Sequence, residues 1–307
     1  MLRLIYLFFF IYSLTYNLSS QEIKQFRLKD FDLIGHVKQC QLITDYGQEI
    51  FEFDSSGRLI KATTQYKEGD KDVTSYKFEN SELVEKRVEH YNNNHIDLSA
   101  SIVHFYDVDT TENKRIKEQI VSYDKQFVEV QEYLFDQYGQ LKKIMVSHEG
   151  AIDEIVIKNS SYGGEHTKTY FQNGVTQKSI RKSFKRHKKL PKVEVMLTKT
   201  YLNAEPNQAV EEIRDRNGLL LEKAIFEYDL EEKEFVLVQK HSFKYNMGIL
   251  DKEIIESDNN KTTHKYIYQF DANEQKNWVR KIVTPENTFV RRKITYYPKE
   301  IAAIDKH

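Results

Sequence analysis

The stretch FEFDSSGRLIK (51–61) returns as YLFDQYGQLKK (133–143) and again as VEEIRDRNGLLLEK (210–223). The shared core is Asp-x-x-Gly-x-Leu, at Asp54/Gly57/Leu59, Asp136/Gly139/Leu141 and Asp215/Gly218/Leu220. With 18 Asp, 11 Gly and 22 Leu in 307 residues, chance supplies about 0.05 such matches, so three mark an internal repeat. The phrase has the chemistry of a tight turn. An Asp side chain accepts from the loop amides, and Gly takes the positive-φ position that closes a hairpin loop.

Weaker versions fill the intervals. YKFENSELVEKR (76–87) keeps the aromatic entry, YFQNGVTQK (170–178) substitutes Asn173-Gly174, and FKYNMGILDK (243–252) shortens the loop. YQFDANEQKNWVRKI (268–282) keeps the entry but lacks Gly. A longer phrase, SYDKQFVEVQEYLFD (122–136), parallels EYDLEEKEFVLVQKHSFKYN (227–246), so the hairpins come in pairs.

These residues resemble the YD-repeat (Rhs-type) β-hairpin, as found in small secreted bacterial proteins of unassigned function. The segment 268–297, with Asn277-Trp278 and a basic strand ending in Tyr296-Tyr297, is similar to the closing repeat of such proteins. The resemblance spans about residues 48–297. It implies a hairpin architecture and brings no catalytic residues.

The fold class expected is all-β: an antiparallel meander of repeated hairpins forming an elongated or weakly curled sheet. Tyr (20) and Phe (18) are abundant, and alternation is common. Phe127, Glu129, Gln131, Tyr133 and Phe135 fall on one face, with Val128 and Val130 on the other. Hydrophobic content of 39% against 30% charge predicts a thin core, with Lys, Arg and Glu stems lying over aromatic rings. Lys, Arg, Glu and Asp on both phases of most strands, as in 279–282 and 290–294, disfavour a lipid-facing barrel.

Residues 1–20 read as a signal peptide: Arg3, a short apolar run from Leu4 to Tyr12, then small residues before Gln21. The remainder divides into a lead-in (21–47), the hairpin-repeat region (48–297) and a tail (298–307). Cys40, the single cysteine, allows no intrachain disulfide and reads as a buried apolar side chain. The expected location is therefore secreted, periplasmic or at the cell surface, with no transmembrane segment beyond the signal peptide.

Chemistry-bearing motifs are sparse. No nucleophile elbow, phosphate loop, dinucleotide fingerprint or zinc signature occurs, so no catalytic, cofactor-binding or metal residues are assigned and no cofactor is expected. DVDTTENKRIKE (107–118) imitates a calcium loop but lacks the required Gly, with Glu112 in its place. His90 and His95 flank an Asn-rich turn, a weak metal pair. The block RKSFKRHKKLPK (181–192) offers Arg181, Lys182, Lys185, Arg186, Lys188 and Lys189 to a polyanion. An acidic glycan or another envelope component suits it, whereas nucleic acid fits poorly with export. The plainer reading is a solvated strand end, offset by acidic residues 227–234. Two functions stay open: a non-enzymatic binding or structural module, and a carbohydrate-active enzyme with carboxylates from different repeats.

Export is checked by intact-mass measurement of protein from its native host, where the expected mass begins close to Gln21. A soluble cytosolic form retaining residues 1–20 would refute it.

Overall fold

The computed structural model describes residues 23–44, 47–148, 150–187, 190–258, 260–274 and 276–298. The signal-peptide segment and most of the tail lie outside them.

Among the described residues, twenty antiparallel strands follow one 3₁₀ turn (Leu28–Phe31). The first seven are β1 (Val37–Thr44), β2 (Gly47–Phe53), β3 (Leu59–Lys67), β4 (Asp70–Glu79), β5 (Glu82–Asn92), β6 (His95–Asp109) and β7 (Arg115–Ser122). Next come β8 (Val128–Phe135), β9 (Leu141–His148), β10 (Ala151–Tyr162), β11 (Glu165–Gln172), β12 (Val175–His187) and β13 (Leu190–Leu202). The last seven are β14 (Glu205–Arg214), β15 (Leu220–Asp229), β16 (Glu234–Asn246), β17 (Ile249–Ser257), β18 (Asn260–Phe270), β19 (Trp278–Thr284) and β20 (Thr288–Tyr296).

Each strand pairs with its sequence neighbours, and β1 also pairs with β20, with Cys40 opposite both Phe51 and Ile294. The meander is therefore a closed barrel. The expected hairpin meander is present, but the elongated or weakly curled sheet is not. The reason is physical: turn chemistry acts over a few residues, whereas closure pairs Gln39–Ile43 with Arg291–Thr295.

The strand registers, carried around the ring, accumulate a stagger of roughly 22 residues. With about 3.3 Å per residue and about 4.8 Å between strands, this gives a strand tilt near 37° and a ring radius of about 19 Å. Barrels of this strand number are too wide for their own side chains to fill.

The three Asp-x-x-Gly phrases close the hairpins β2–β3, β8–β9 and β14–β15 in identical fashion. Asp136 Oδ1 accepts from the Tyr138 and Gln140 amides at 2.9 Å each, and Gly139 N–H donates to Asp136 O at 3.0 Å. Asp54 and Asp215 repeat the pattern. All three follow even-numbered strands, so they sit on one rim of the barrel. Asn173-Gly174, between β11 and β12, forms a two-residue turn at the other rim.

One face of the ladder contains Cys40, Phe51, Ala62, Thr74, Val88 and Ile102, each opposite the next across successive strands. The right-handed twist of strands built from L-residues makes this the inner face. Its partner face carries Lys61, Lys71, Arg87, Lys117, Lys143, Lys158, Arg181, Lys240 and Arg291, and is the outer wall. There, cross-strand ion pairs such as Arg115–Glu132 (2.7 Å) and Lys143–Glu154 (2.7 Å) recur. Cationic stems also cover rings, as Lys158 over Phe171 and Arg280 over Phe289.

Gly139 has φ +73° and nothing within 4 Å of where a Cβ would stand. Gly139→Val therefore meets no clash, only the resistance of a β-branched residue to positive φ, and is expected to cost about 1 kcal/mol or more. Denaturant unfolding measures it, and a neutral result would contradict the turn geometry.

Candidate functional site

The inner wall gathers the structure's buried polar chemistry, and the lead-in is docked on it. Phe31 sits between Phe51 (ring centroids 4.6 Å) and Phe53 (5.3 Å, edge-on), with Phe26 at 6.4 Å. Leu33, Val37, Cys40, Phe53 and Leu59 are buried together there. Burial pushes the Cys40 thiol up, which disfavours the reactive thiolate and fits an inert apolar role.

The Asn277-Trp278 pair fastens this lead-in. Asn277 accepts from the Ile34 amide and donates to the Ile34 carbonyl, both at 2.8 Å, as a strand would. The Arg292 guanidinium lies 3.4 Å above the Trp278 ring and donates to Phe31 O at 2.8 Å. Tyr296 donates to Asp271, and Tyr297 donates to Phe53 O at 2.7 Å. Asp271 thus binds a tyrosine here, unlike the capping aspartates of the three regular turns.

Two buried carboxylates hold hydrogen-bond networks on the same wall. Glu118 (β7) contacts His104 Nδ1 at 2.7 Å and accepts from Tyr133 OH at 2.6 Å. Glu253 (β17) contacts His241 Nδ1 at 2.7 Å and accepts from Tyr266 OH at 2.6 Å. Burial by itself would raise both acids, but the bonds from His and Tyr prevail and hold both below the usual carboxylate range. His264 bridges Glu253 (3.9 Å) and Glu286 (3.1 Å). Lys86 and Lys281 are half-buried on this wall, and desolvation lowers both amines.

A third group lies on β2 to β5. Tyr66 OH donates to Asp72 at 2.7 Å, and Asp72 contacts His90 Nδ1 at 2.6 Å. Glu49 lies in the same row, opposite Thr64, which is opposite Asp72. Burial raises Glu49, while burial, Asp72 and Glu49 push Tyr66 to about 12.

The residues singled out in the sequence are mostly dispersed. Arg181 faces outward near Glu165 (3.5 Å), and Lys185 faces outward near Glu211 (3.8 Å). Lys182 faces inward and pairs with Glu194 at 2.7 Å. Arg186 is exposed, and Lys188 and Lys189 lie outside the described residues. The offsetting acids thus come from β11, β13 and β14, not from 227–234. In the calcium-like stretch, Asp109 caps Thr111 while Glu118 turns inward to His104, so its oxygens diverge. His90 contacts Asp72 and His95 contacts Asn93 O, so these two also separate. Among the described residues no group of three or more His, Cys, Asp or Glu is placed to hold a metal.

Reading from sequence missed the His–Glu–Tyr networks. Alternation in His104-x-Tyr106 and Gln131-x-Tyr133 puts these residues on one phase, and that signal was available. Which strands lie adjacent was the missing fact.

No protein-family model matches the chain, and comparison with curated proteins gives no match. Among solved structures, a porin-like protein from Bacteroides uniformis ATCC 8492 is similar over 84% of this chain and 96% of its own, with 9% identity and a TM-score of 0.31. A porin-like protein from Bacteroides vulgatus ATCC 8482 covers 85% and 98%, with 8% identity and a TM-score of 0.25. At these scores the likenesses carry no argument, and the closed barrel rests on its own β1–β20 ladder.

Acid is expected to weaken the barrel. Glu118 and Glu253 are held low in the folded state, so their stabilisation is full above the unfolded carboxylate value and fades as pH falls through the folded one. Melting temperature should fall from about pH 5 downward, and less steeply in a Glu118→Gln/Glu253→Gln variant. Equal pH profiles would contradict the networks. Asn277→Ala should cost about 1 kcal/mol or more, since it removes a buried side chain that bonds the Ile34 N–H and carbonyl and the Tyr296 hydroxyl; denaturant unfolding and amide exchange at Ile34 report it.

Proposed function

We propose that this chain is a non-enzymatic secreted or envelope β-barrel module whose binding surface is the inner wall. The observation that carries this reading is the division of the two walls. Inside lie tyrosines, histidines, buried acids and lumen-facing aromatics such as Tyr66 and Phe184, which are 47% and 49% exposed. Outside lie charges joined in ion pairs, interrupted by an apolar patch of Val193, Val195 and Ile213. A Lys or Arg facing lipid costs about 2–4 kcal/mol at the bilayer midplane, and outer positions such as Lys61, Arg87, Lys117, Lys158 and Lys240 would each incur it. That supports a water-bathed barrel, and the signal-peptide reading of residues 1–20 supports an extracytoplasmic compartment. The outward Arg181 and Lys185 form the remaining polyanion surface, much of its charge offset by neighbouring acids.

A second reading has one specific observation in its favour. Glu49 and Asp72 stand two strands apart on the inner wall, about 10 Å between Cα atoms by strand spacing. Burial raises Glu49, and Tyr66 and His90 occupy Asp72. One protonatable and one engaged carboxylate at such a separation are the parts of an inverting glycosidase. We further propose that the likeness of the turns to YD-repeat hairpins reflects a shared hairpin unit.

Incubation of the mature chain with immobilised and free oligosaccharides, acidic and neutral, separates these readings. The binding reading expects retention without cleavage, reduced at least tenfold by Tyr66→Ala/Phe184→Ala. Cleavage that disappears in Glu49→Gln would select the enzyme instead. Loss of retention in Arg181→Glu/Lys185→Glu, with the inner-wall variant unaffected, would move the binding surface to the outer wall.

A further inference from the structure

Two sets of inner-wall residues repeat each other position by position, ten strands apart. Lys86 lies opposite His104 across β5–β6, and Lys223 lies opposite His241 across β15–β16. His104 faces Ile120 and His241 faces Ile255; Tyr106 faces Glu118 and Phe243 faces Glu253. Glu118 then faces Gln131, and Glu253 faces His264. The bonds repeat as well, with His–Glu at 2.7 Å and Tyr–Glu at 2.6 Å in both sets. Each histidine stacks on the aromatic two residues later, His104 on Tyr106 (6.3 Å, 9°) and His241 on Phe243 (6.1 Å, 14°).

Ten strands are half of a twenty-stranded ring, so the two sets occupy opposite sides of the barrel. The registers bring His104 and His241 to within about 3 Å of one height along the axis. The barrel thus has a pseudo-twofold axis through its lumen for these residues.

Barrel closure does not call for this set. A pair of apolar side chains would fill the same space without burying a carboxylate. In addition, His104 Nε2 is buried without a hydrogen-bond partner, although His104 is only 9% exposed. An ionised Glu accepts only, so Nδ1 carries the proton and Nε2 is the atom left to meet a ligand. When Nε2 is also protonated, it becomes a second donor backed by the carboxylate. Lys86 stands directly opposite His104 across the strand pair. With the ring protonated, His104 and Lys86 offer two cationic donors across one strand pair, which suits an anionic oxygen.

Resting on the inner-wall binding reading, we propose that Lys86/His104 and Lys223/His241 are two equivalent subsites for a ligand bearing a carboxylate or phosphate group. The groups facing His104 are Lys86, Tyr106, Glu118 and Tyr133. Those facing His241 are Lys223, Glu253, His264, Tyr266 and, through His264, Glu286.

Isothermal titration of the mature chain with glucuronate, inorganic phosphate and glucose tests this, with histidine ring NMR as the local readout. The expected result is two equivalents of glucuronate or phosphate per chain, none of glucose, and perturbation of both His104 and His241. Lys86→Met should leave one equivalent, and Lys86→Met/Lys223→Met should weaken binding at least tenfold. The Met variants keep the His–Glu–Tyr bonds, so melting temperature separates lost binding from lost folding. Whichever of glucuronate and phosphate binds more tightly names the source of the anion. Absence of saturable anion binding, equal binding of glucose, or unchanged stoichiometry in the double variant would overturn the proposal. Oligosaccharide retention that persists in the double variant would sink these subsites while leaving the inner-wall reading intact.

Discussion

The β1–β20 ladder is the constraint on which the other features depend. Six residues of β1 pair with β20 on one edge, while six pair with β2 on the other. Without the first pairing, the meander would end in two open edges, each a row of unpaired amides and carbonyls. With it, the sheet acquires an inside and an outside, and one phase of every strand becomes concave. The lead-in braces this seam. Phe26, Phe31 and Leu33 pack against β1, β2 and β20, and Asn277 with Arg292 grips its backbone.

The two walls solve different physical problems. Outside, charges meet water and are cheap, and their cross-strand pairs set register more than they add stability. Inside, desolvation makes each charge expensive, so acids appear with their partners already in place, as Glu118 with His104 and Tyr133. The apolar residues buried on the inner wall, Ile144, Val146, Ile155 and Ile157, form a satellite cluster beside Tyr133 and not a central core. Such a barrel derives its stability from ladders and local clusters distributed around a ring.

The inner wall is also where function gathers. Carboxylates of contrasting environment (Glu49 against Asp72) and the paired Lys–His–Glu–Tyr sets all face the lumen. The outer basic patch has no comparable organisation, because Glu165 and Glu211 stand next to its cations.

Much of the architecture was legible in the sequence because it is encoded locally. Asp-x-x-Gly and Asn-Gly act within a few residues, so the hairpins and their rims follow from turn chemistry and alternation. The capping roles of Asp54, Asp136 and Asp215 were readable for the same reason, and so was the burial of Cys40. Asn277-Trp278 and Tyr296-Tyr297 stood out as a motif, but their task of gripping residues 31–36 requires contacts across some 240 positions. Closure could not be read, because strand alternation is the same in an open and a closed sheet. The inner networks were hidden for the same reason: His104, Glu118 and Tyr133 become neighbours only once three strands are in register. The sequence by itself determined the hairpins. The tertiary structure alone decided that they form a ring, which phase faces inward, and that two distant His–Glu–Tyr sets face each other, since each of these depends on long-range pairing and the hand of the sheet's twist.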